Sequence, residues 1–445
     1  MSLETLRIAE DEAINIMGID KHLVEETRQQ QVYQGQITLS GDKLDAFRVH
    51  TGAPEGRIAK GGIRYNSYAG PNETKAECQE LSGEMHTKLA ARGYGEKFRG
   101  GKGVVNIAGR RLSPEDKKHI AREFEAFMEY AGLAGHNIDI PAGDVGTNGL
   151  ADTYAAEYAR KHPDDPYAKA VITGKSPENG GLEARAGATG LGVLAAQHEL
   201  MRQRGVDQAS VSLQGFGNVA SWYAFFAHSD PQKRVRVQAI SEPEGALWTP
   251  DPTGLPIAED MIRMIGDNKD WTGPKLKALA EMIHTRHPNL ELNFSAKNSD
   301  IISYPADYFV PAAMGNAITA ENVGRLGAKL GVIEAGNGTT TPTAHQEIVN
   351  SGRDVVADVG ANSGGVDTSI KEWETNVAMA EGRIASPPSR EEVESELQES
   401  SARLMSDTLC AAEALGTRDL RVAVAALAVD RALGINRLAP LTLTK

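Results

Sequence analysis

Cysteine is nearly absent from this chain: only Cys78 and Cys410 occur, far apart and outside any metal-ligand spacing. Their scarcity excludes a disulfide framework and a cysteine zinc site, and makes a cytoplasmic setting the expectation. Basic charge is also short, since 47 Lys and Arg stand against 60 Asp and Glu for a formal net charge of -13. Nucleic acid is thereby excluded as a partner, because phosphate binding needs a basic field and no long basic run supplies one locally. No apolar run is long enough to span a membrane, and Met1 to Asp20 alternates charged and apolar residues without a signal-peptide core. Internal repeats and low-complexity segments are missing too. What remains is ordinary soluble-protein composition in 445 residues, more than one core usually supports, so two or three domains are expected.

Hydrophobic periodicity predicts a helix over Glu4 to Gln30 and strands over Val32 to Leu39 and Ala46 to His50, with Ser40-Gly41-Asp42 as the turn between them. Past Pro54, Ala59-Lys60-Gly61-Gly62-Ile63-Arg64-Tyr65 sets a lysine against glycines. A helix over Pro71 to Arg92 carries Lys88, and Phe98 to Val105 reads as loop and strand around Lys102. Pro114 to Tyr130 is helical, and Asn137 to Thr147 is a strand breaking into a loop that displays Asp144. From Thr189 helices and strands alternate, the mark of parallel βαβ units. The helix is Gly190 to Arg204, and the strands are Val211 to Leu213, Val235 to Ile240, Tyr308 to Ala313, Gly331 to Ala335 and Asp354 to Val359. Helices are expected near Thr319 to Leu326 and Thr343 to Asn350, and from Ile370 onward through Arg390 to Leu415 and Asp419 to Leu433.

Glycines around Lys102 let the backbone approach a neighbour closely, and a lysine that is partly desolvated there loses proton affinity and becomes usable chemistry. The plain alternative is a glycine turn with a lysine at its tip. Further on, Gly215-Phe216-Gly217-Asn218-Val219-Ala220 lies between a strand and a helix, the pattern of a Rossmann phosphate-binding turn with a helix N-terminus aimed at the anion. Glu242 and Glu244 follow the next strand, where an acid accepts the ribose 2′-hydroxyl and repels a 2′-phosphate. NAD is therefore expected over NADP, with NADP left open by the nearby Lys233, Arg234 and Arg236.

Three lysines and a loop aspartate ahead of a dinucleotide domain suit a substrate with two carboxylates and a carbonyl or amine to be oxidised or reduced. These residues resemble the glutamate, leucine, phenylalanine and valine dehydrogenase family, over about Phe47 to Asn376. The likeness is carried by Lys60-Gly61-Gly62-Ile63-Arg64-Tyr65, Pro141-Ala142-Gly143-Asp144-Val145-Gly146-Thr147, Gly187-Ala188-Thr189-Gly190, Gln214-Gly215-Phe216-Gly217-Asn218-Val219, Pro311-Ala312-Ala313, Glu334-Ala335-Gly336-Asn337-Gly338 and Asn362-Ser363-Gly364-Gly365-Val366.

The resemblance implies an α/β fold of two domains. One is a substrate and oligomerisation domain (1–186), completed by C-terminal helices (370–445); the other is an inserted Rossmann NAD(P)-binding domain (187–369). It implies that Lys60 holds the side-chain carboxylate of glutamate with Ser369 as its hydroxyl partner, beside Gly61, Gly62 and Val366. Lys88 would hold the α-carboxylate, Lys102 polarise the developing carbonyl and activate water, and Asp144 shuttle protons to and from the amino group. Thr189 and Asn362 would line the nicotinamide end, Asn337 would belong to the cofactor site, and no metal is required. Two ammonium anchors fix both ends of a five-carbon diacid and convert the reaction into a positioned one. A homo-oligomer, a hexamer, and small-molecule substrates are implied as well.

The chain departs from the family around its central lysine, where Gly100-Gly101-Lys102-Gly103 is one residue tighter and Lys97 and Arg99 add charge. Two alternatives follow: a dehydrogenase of this family acting on another amino acid, and a dinucleotide-binding regulatory protein without turnover.

Overall fold

Two sheets organise the chain. The computed structural model describes residues 2–438 apart from 54–55, 145, 148, 267, 269–272 and 314; Met1, Pro54, Val145 and residues 439–445 of the C-terminal segment therefore lie outside the described residues. The first sheet holds β1 (Gln30–Leu39), β2 (Asp42–Thr51), β3 (Ile58–Asn66), β4 (Phe98–Asn106) and β5 (Asp139–Gly143), in the order β1-β2-β4-β3-β5. Strands β1, β2 and β4 run antiparallel to one another in turn, whereas β3 lies parallel to both β4 and β5. Ser40 and Gly41 both take positive φ, which closes the β1-β2 hairpin with the twist the strands need. Helix Pro114–Tyr130 starts on a Ser113/Asp116 capping box and lays Phe124, Phe127 and Met128 on Ile37, Leu39 and Leu44.

The glycines of β3 and β4 answer to a side chain that passes among them. Arg48, fully buried on β2, reaches past β4 and β3 to Asp139 at the start of β5, with Nε 2.7 Å from Oδ2; His50 Nε2 meets the same oxygen at 2.6 Å. On its way Arg48 donates to the carbonyls of Gly61 and Gly62 at 3.2 and 3.4 Å. A Cβ at Gly101 would stand 2.7 Å from Arg48 Nη2, and one at Gly61 would fall 1.7 Å from the Gly101 carbonyl oxygen. Burial alone would raise the Asp139 pKa, but Arg48 and His50 hold it well below the usual carboxylate range.

The second sheet holds β6 (Ala209–Gln214), β7 (Val235–Glu242), β8 (Gly245–Trp248), β9 (Asn293–Ser295), β10 (Tyr308–Pro311), β11 (Gly331–Ile333) and β12 (Asp354–Val356), in the order β12-β11-β10-β6-β7-β8-β9. The β12-β11-β10-β6-β7 run is parallel, and β8 pairs antiparallel with both of its neighbours. Helices Arg390–Leu415 and Leu420–Ala432 return to the beginning of the chain, where Val422, Ala425 and Ala426 pack on Ala9 and Ala13, and Val429 on Ile14 and Val24.

Several expectations change. The N-terminal helix is two, Ser2–Met17 and Lys21–Glu26, because Gly18 takes φ +63° between them. Lys60 and Lys102 stand within strands and not in glycine turns. The helix expected near Thr319 to Leu326 is one 3-10 turn, Val323–Arg325, and the helix expected from Ile370 begins at Gly364. Strands β8 and β9 and helices Leu150–Lys161 and Lys275–Arg286 were not legible.

Replacing Asp139 with asparagine leaves the Arg48 guanidinium buried without its counter-charge. Denaturant unfolding of Asp139→Asn is expected to show a loss of about 3–5 kcal/mol relative to the parent.

Candidate active site

Lys102 lies on β4 and Asp144 just beyond β5, and the two strands flank β3. Lys102 Nζ sits 2.5 Å from Asp144 Oδ2, and Arg64 Nε, from β3, donates to the same oxygen at 3.1 Å. Arg64 also donates to Glu77 at 3.0 Å. The absence of a side chain at Gly62 makes room for Asp144, whose Cβ would lie 2.9 Å from a Gly62 Cβ. Asp144 is fixed through its backbone as well, its N–H donating to Thr147 Oγ1 at 2.7 Å. The proton-handling pair expected from sequence is thus brought together by three adjacent strands.

Lys60 occupies the other end. It is 2% exposed, and its Nζ donates to Thr173 Oγ1 at 2.8 Å; Thr173 Oγ1 in turn lies 2.6 Å from Ser369 Oγ. Ser369 therefore reaches Lys60 through Thr173 and not directly. The nearby Glu372 pairs with Lys175 at 2.6 Å, both fully buried, and accepts from the backbone of Gly174, which ties the Thr173 loop to the helix Gly364–Ala380. Val366, on that helix, packs in the cluster with Ile58, Phe98 and Trp373. Burial, reinforced by the charge of Arg185, brings the Lys60 pKa down to about 7. Lys60 is thus a buried lysine of depressed proton affinity set beside hydroxyl groups.

Arg185 and Thr173 are functional candidates that sequence reading missed. Arg185 stands close enough to act electrostatically on Lys60 and with Asp144 and Glu372, and its buried Nε has no hydrogen-bond partner among the described residues. A part-buried cation with an unfilled buried donor marks a place for an anion. Position alone gave little signal for it, apart from its place four residues before Thr189 in a stretch that carries the family likeness.

Lys88, on helix Pro71–Ala91, pairs with Glu84 at 2.6 Å and donates at 3.1 Å to Asn337 Oδ1 on the loop after β11. Asn362 Nδ2 donates to that same oxygen at 2.7 Å, so Lys88, Asn337 and Asn362 form one cross-cleft chain. Asp358 holds the Asn337 loop by accepting the Gly338 N–H at 2.9 Å.

On the dinucleotide side, Gly215 takes φ +95° after β6, and helix Asn218–Ser229 begins at Gly217, an N-cap that brings no side chain of its own. A Cβ at Gly217 would meet nothing within 4 Å, so open space faces that helix end, as a pyrophosphate requires. Val219 packs against the sheet core, and Asn218 Nδ2 donates to the Ala186 carbonyl at 3.1 Å. Thr189 sits on helix Ala188–Arg204 against Gly365, where a Cβ would come within 2.7 Å of its hydroxyl. Phe216 is buried, and its backbone N–H donates to the Glu242 carboxylate. Glu242 is thus turned to the glycine loop, and Glu244 accepts the Leu276 N–H at 2.7 Å in the first turn of helix Lys275–Arg286. Lys233, Arg234 and Arg236 stand at the start of β7, away from Glu242, and bond to His228, Asp230 and Gln208. Among the described residues, Lys275 is a cation near Glu242, its Nζ donating to the Phe216 carbonyl at 3.2 Å.

Because Lys60 is charged below about pH 7 and neutral above it, binding of a small dicarboxylate is expected to weaken about 25-fold between pH 6.5 and 8.5. Calorimetric titration across that range reads it, with Lys60→Met weak and flat as the control. A pH-independent affinity in the parent protein would remove Lys60 from the anion site.

Known proteins place this geometry. Residues 180–437 match the family model described as Glutamate/Leucine/Phenylalanine/Valine dehydrogenase, and residues 30–159 match the dimerisation domain of Glu/Leu/Phe/Val dehydrogenases. The NAD-specific glutamate dehydrogenase A of Halobacterium salinarum is 30% identical over 388 residues, covering 84% of this chain and 80% of the relative. The NADP(+)-dependent glutamate dehydrogenase of Pyrobaculum calidifontis is 33% identical over 357 residues, covering 78% and 74%. In fold, the chain superposes on the hetero-hexameric glutamate dehydrogenase of Thermus thermophilus with a TM-score of 0.77 at 24% identity, over 98% of this chain and 96% of that one. The chain belongs to the glutamate/leucine/phenylalanine/valine dehydrogenase family.

Proposed function

We propose that this protein catalyses the reversible, NAD(P)-dependent oxidative deamination of L-glutamate to 2-oxoglutarate and ammonium. The observation that carries the reading is the buried Lys60 ammonium, whose hydrogen-bond partner is the Thr173 hydroxyl and which has no paired acid among the described residues. An apolar side chain brought there would leave that ammonium desolvated and unpaired, whereas a γ-carboxylate completes it together with Arg185 and the Thr173 and Ser369 hydroxyls.

The α-carboxylate is held by Lys88, so both ends of the substrate are fixed and its α-carbon lies beside the Lys102–Asp144 pair. Asp144 takes a proton from the α-ammonium. Lys102 directs water onto the α-carbon and stabilises the oxygen that becomes the ketone, and its contact with Asp144 lets the proton pass between them. Bound at the Gly215–Gly217 turn, a nicotinamide dinucleotide supplies the hydride acceptor, with Thr189 and Asn362 at its reactive end. NAD is the favoured form on the strength of Glu242, and Lys275 keeps NADP admissible.

We infer a division into a substrate domain (1–186), a dinucleotide domain (187–369) and returning helices (370–445), although the last limit falls inside the helix Gly364–Ala380. Assembly as a homohexamer is proposed from the relative described as hetero-hexameric and from the half-exposed edge strand β1. The free thiols of Cys78 and Cys410 suit a cytoplasmic location.

A panel of amino acids assayed at the NADH absorbance is expected to rank L-glutamate first; preference for leucine or phenylalanine would overturn the assignment. Lys102→Ala is expected to lower kcat by about 10²–10⁴ with the melting temperature unchanged.

A further inference from the structure

Lys88 does not wait for its substrate alone. Glu84, one helical turn earlier on Pro71–Ala91, places a carboxylate oxygen 2.6 Å from Lys88 Nζ, and both side chains are 7% exposed. Nothing in the reaction scheme uses Glu84. Burial would lower the Lys88 pKa, but Glu84 first, then Asp358 and Asp144, push it above the ordinary lysine value. The Lys88 ammonium has three N–H donors; one faces Glu84 and one reaches Asn337, which leaves one for a ligand. Glu84 Oε1, for its part, has no hydrogen-bond donor aligned on it among the described residues, so the contact is an ion pair with acceptor capacity left over.

The two ends of the substrate site therefore differ in charge. At the Lys60 end, Lys60 and Arg185 stand together, and the nearest acid, Glu372, is engaged by Lys175. At the Lys88 end, the cation is already matched by an acid of its own helix. A carboxylate arriving there must share one ammonium with Glu84, and two like charges around a single buried cation oppose each other. A primary carboxamide meets no such opposition: its oxygen accepts from Lys88, and its N–H donates to Glu84.

From this arrangement, and resting on the glutamate reading above, we propose that Glu84 sets the specificity of the α-carboxylate position, making it a neutral donor–acceptor pair that holds a carboxamide nearly as well as a carboxylate. Glu84 acts through Lys88 and is a positioning and specificity residue. Substrates of this enzyme then include α-amides of acidic amino acids, with recognition resting on the far carboxylate at Lys60 and Arg185.

Glutarate and its monoamide glutaramate test this, since neither carries an amine to be oxidised and both can be titrated calorimetrically into the full chain at pH 6.5. The parent protein is expected to bind the two within about tenfold of each other, a preference for glutarate beyond that overturning the proposal. Glu84→Gln keeps an oxygen for Lys88 but removes the charge; it is expected to tighten glutarate about tenfold and to leave glutaramate within about threefold. An unchanged or weakened glutarate affinity, or an equal shift of both ligands, would overturn it, because a merely structural Glu84 moves the two together. If the variant does not fold, the parent ratio decides alone. Failure of the parent to bind glutarate at all counts instead against the dicarboxylate reading of the site.

Discussion

The reach of Arg48 to Asp139 is the constraint on which the catalytic sheet depends. Two fully buried charges must meet across two intervening strands, so those strands carry glycine where the guanidinium passes, at Gly101, Gly61 and Gly62. Breaking a buried pair of this kind costs far more than forming it gains, which makes the path through the sheet obligatory once it exists. The same glycines put β3 and β4 in close contact, and Lys60 and Lys102 project from those two strands. Glycine around a lysine here serves the packing of the sheet, and chemistry uses the side chains that the packing fixes in place.

Around this frame the site is assembled from separate charge compartments. Lys102 shares Asp144 with Arg64, Lys88 is matched by Glu84, and Lys60 is left with the Thr173 hydroxyl beside Arg185. Each buried ion pair nearby has its own structural duty: Lys175 with Glu372 fixes the Thr173 loop, and Arg421 with Glu334 and Asp358 fixes the loop that carries Asn337. Keeping these pairs closed leaves the unfilled positive charge concentrated where a diacid would lie.

Much of this was legible in the sequence, and for physical reasons. The parallel strands of the dinucleotide domain read as short apolar runs between glycine turns, and Pro114 to Tyr130 announced itself through a capping box and proline at its first turn. Lys60, Lys88, Lys102 and Asp144 stood out because glycine or helix context singled them out. Strand β3 was hidden by its own glycines, which look like a turn until the crossing arginine is seen. Strands β8 and β9 are three or four residues long and lack alternation. Arg185 and Thr173 escaped notice because their significance lies in what surrounds them in space, and the capping use of Glu244 depends on a helix that the local pattern did not reveal.

Arg92 closes the helix that carries Lys88, and its guanidinium hydrogen-bonds Ser363, Ser401 and Asp367, joining that helix to the one that carries Ser369. The helices that carry Lys88 and Ser369 are therefore riveted together one turn from Lys88. Asn337 is the contact that the dinucleotide side adds. Lys88 and Ser369 thus stand on one braced frame, and the spacing between them is set by the bonds of Arg92 and not by the loop that carries Asn337.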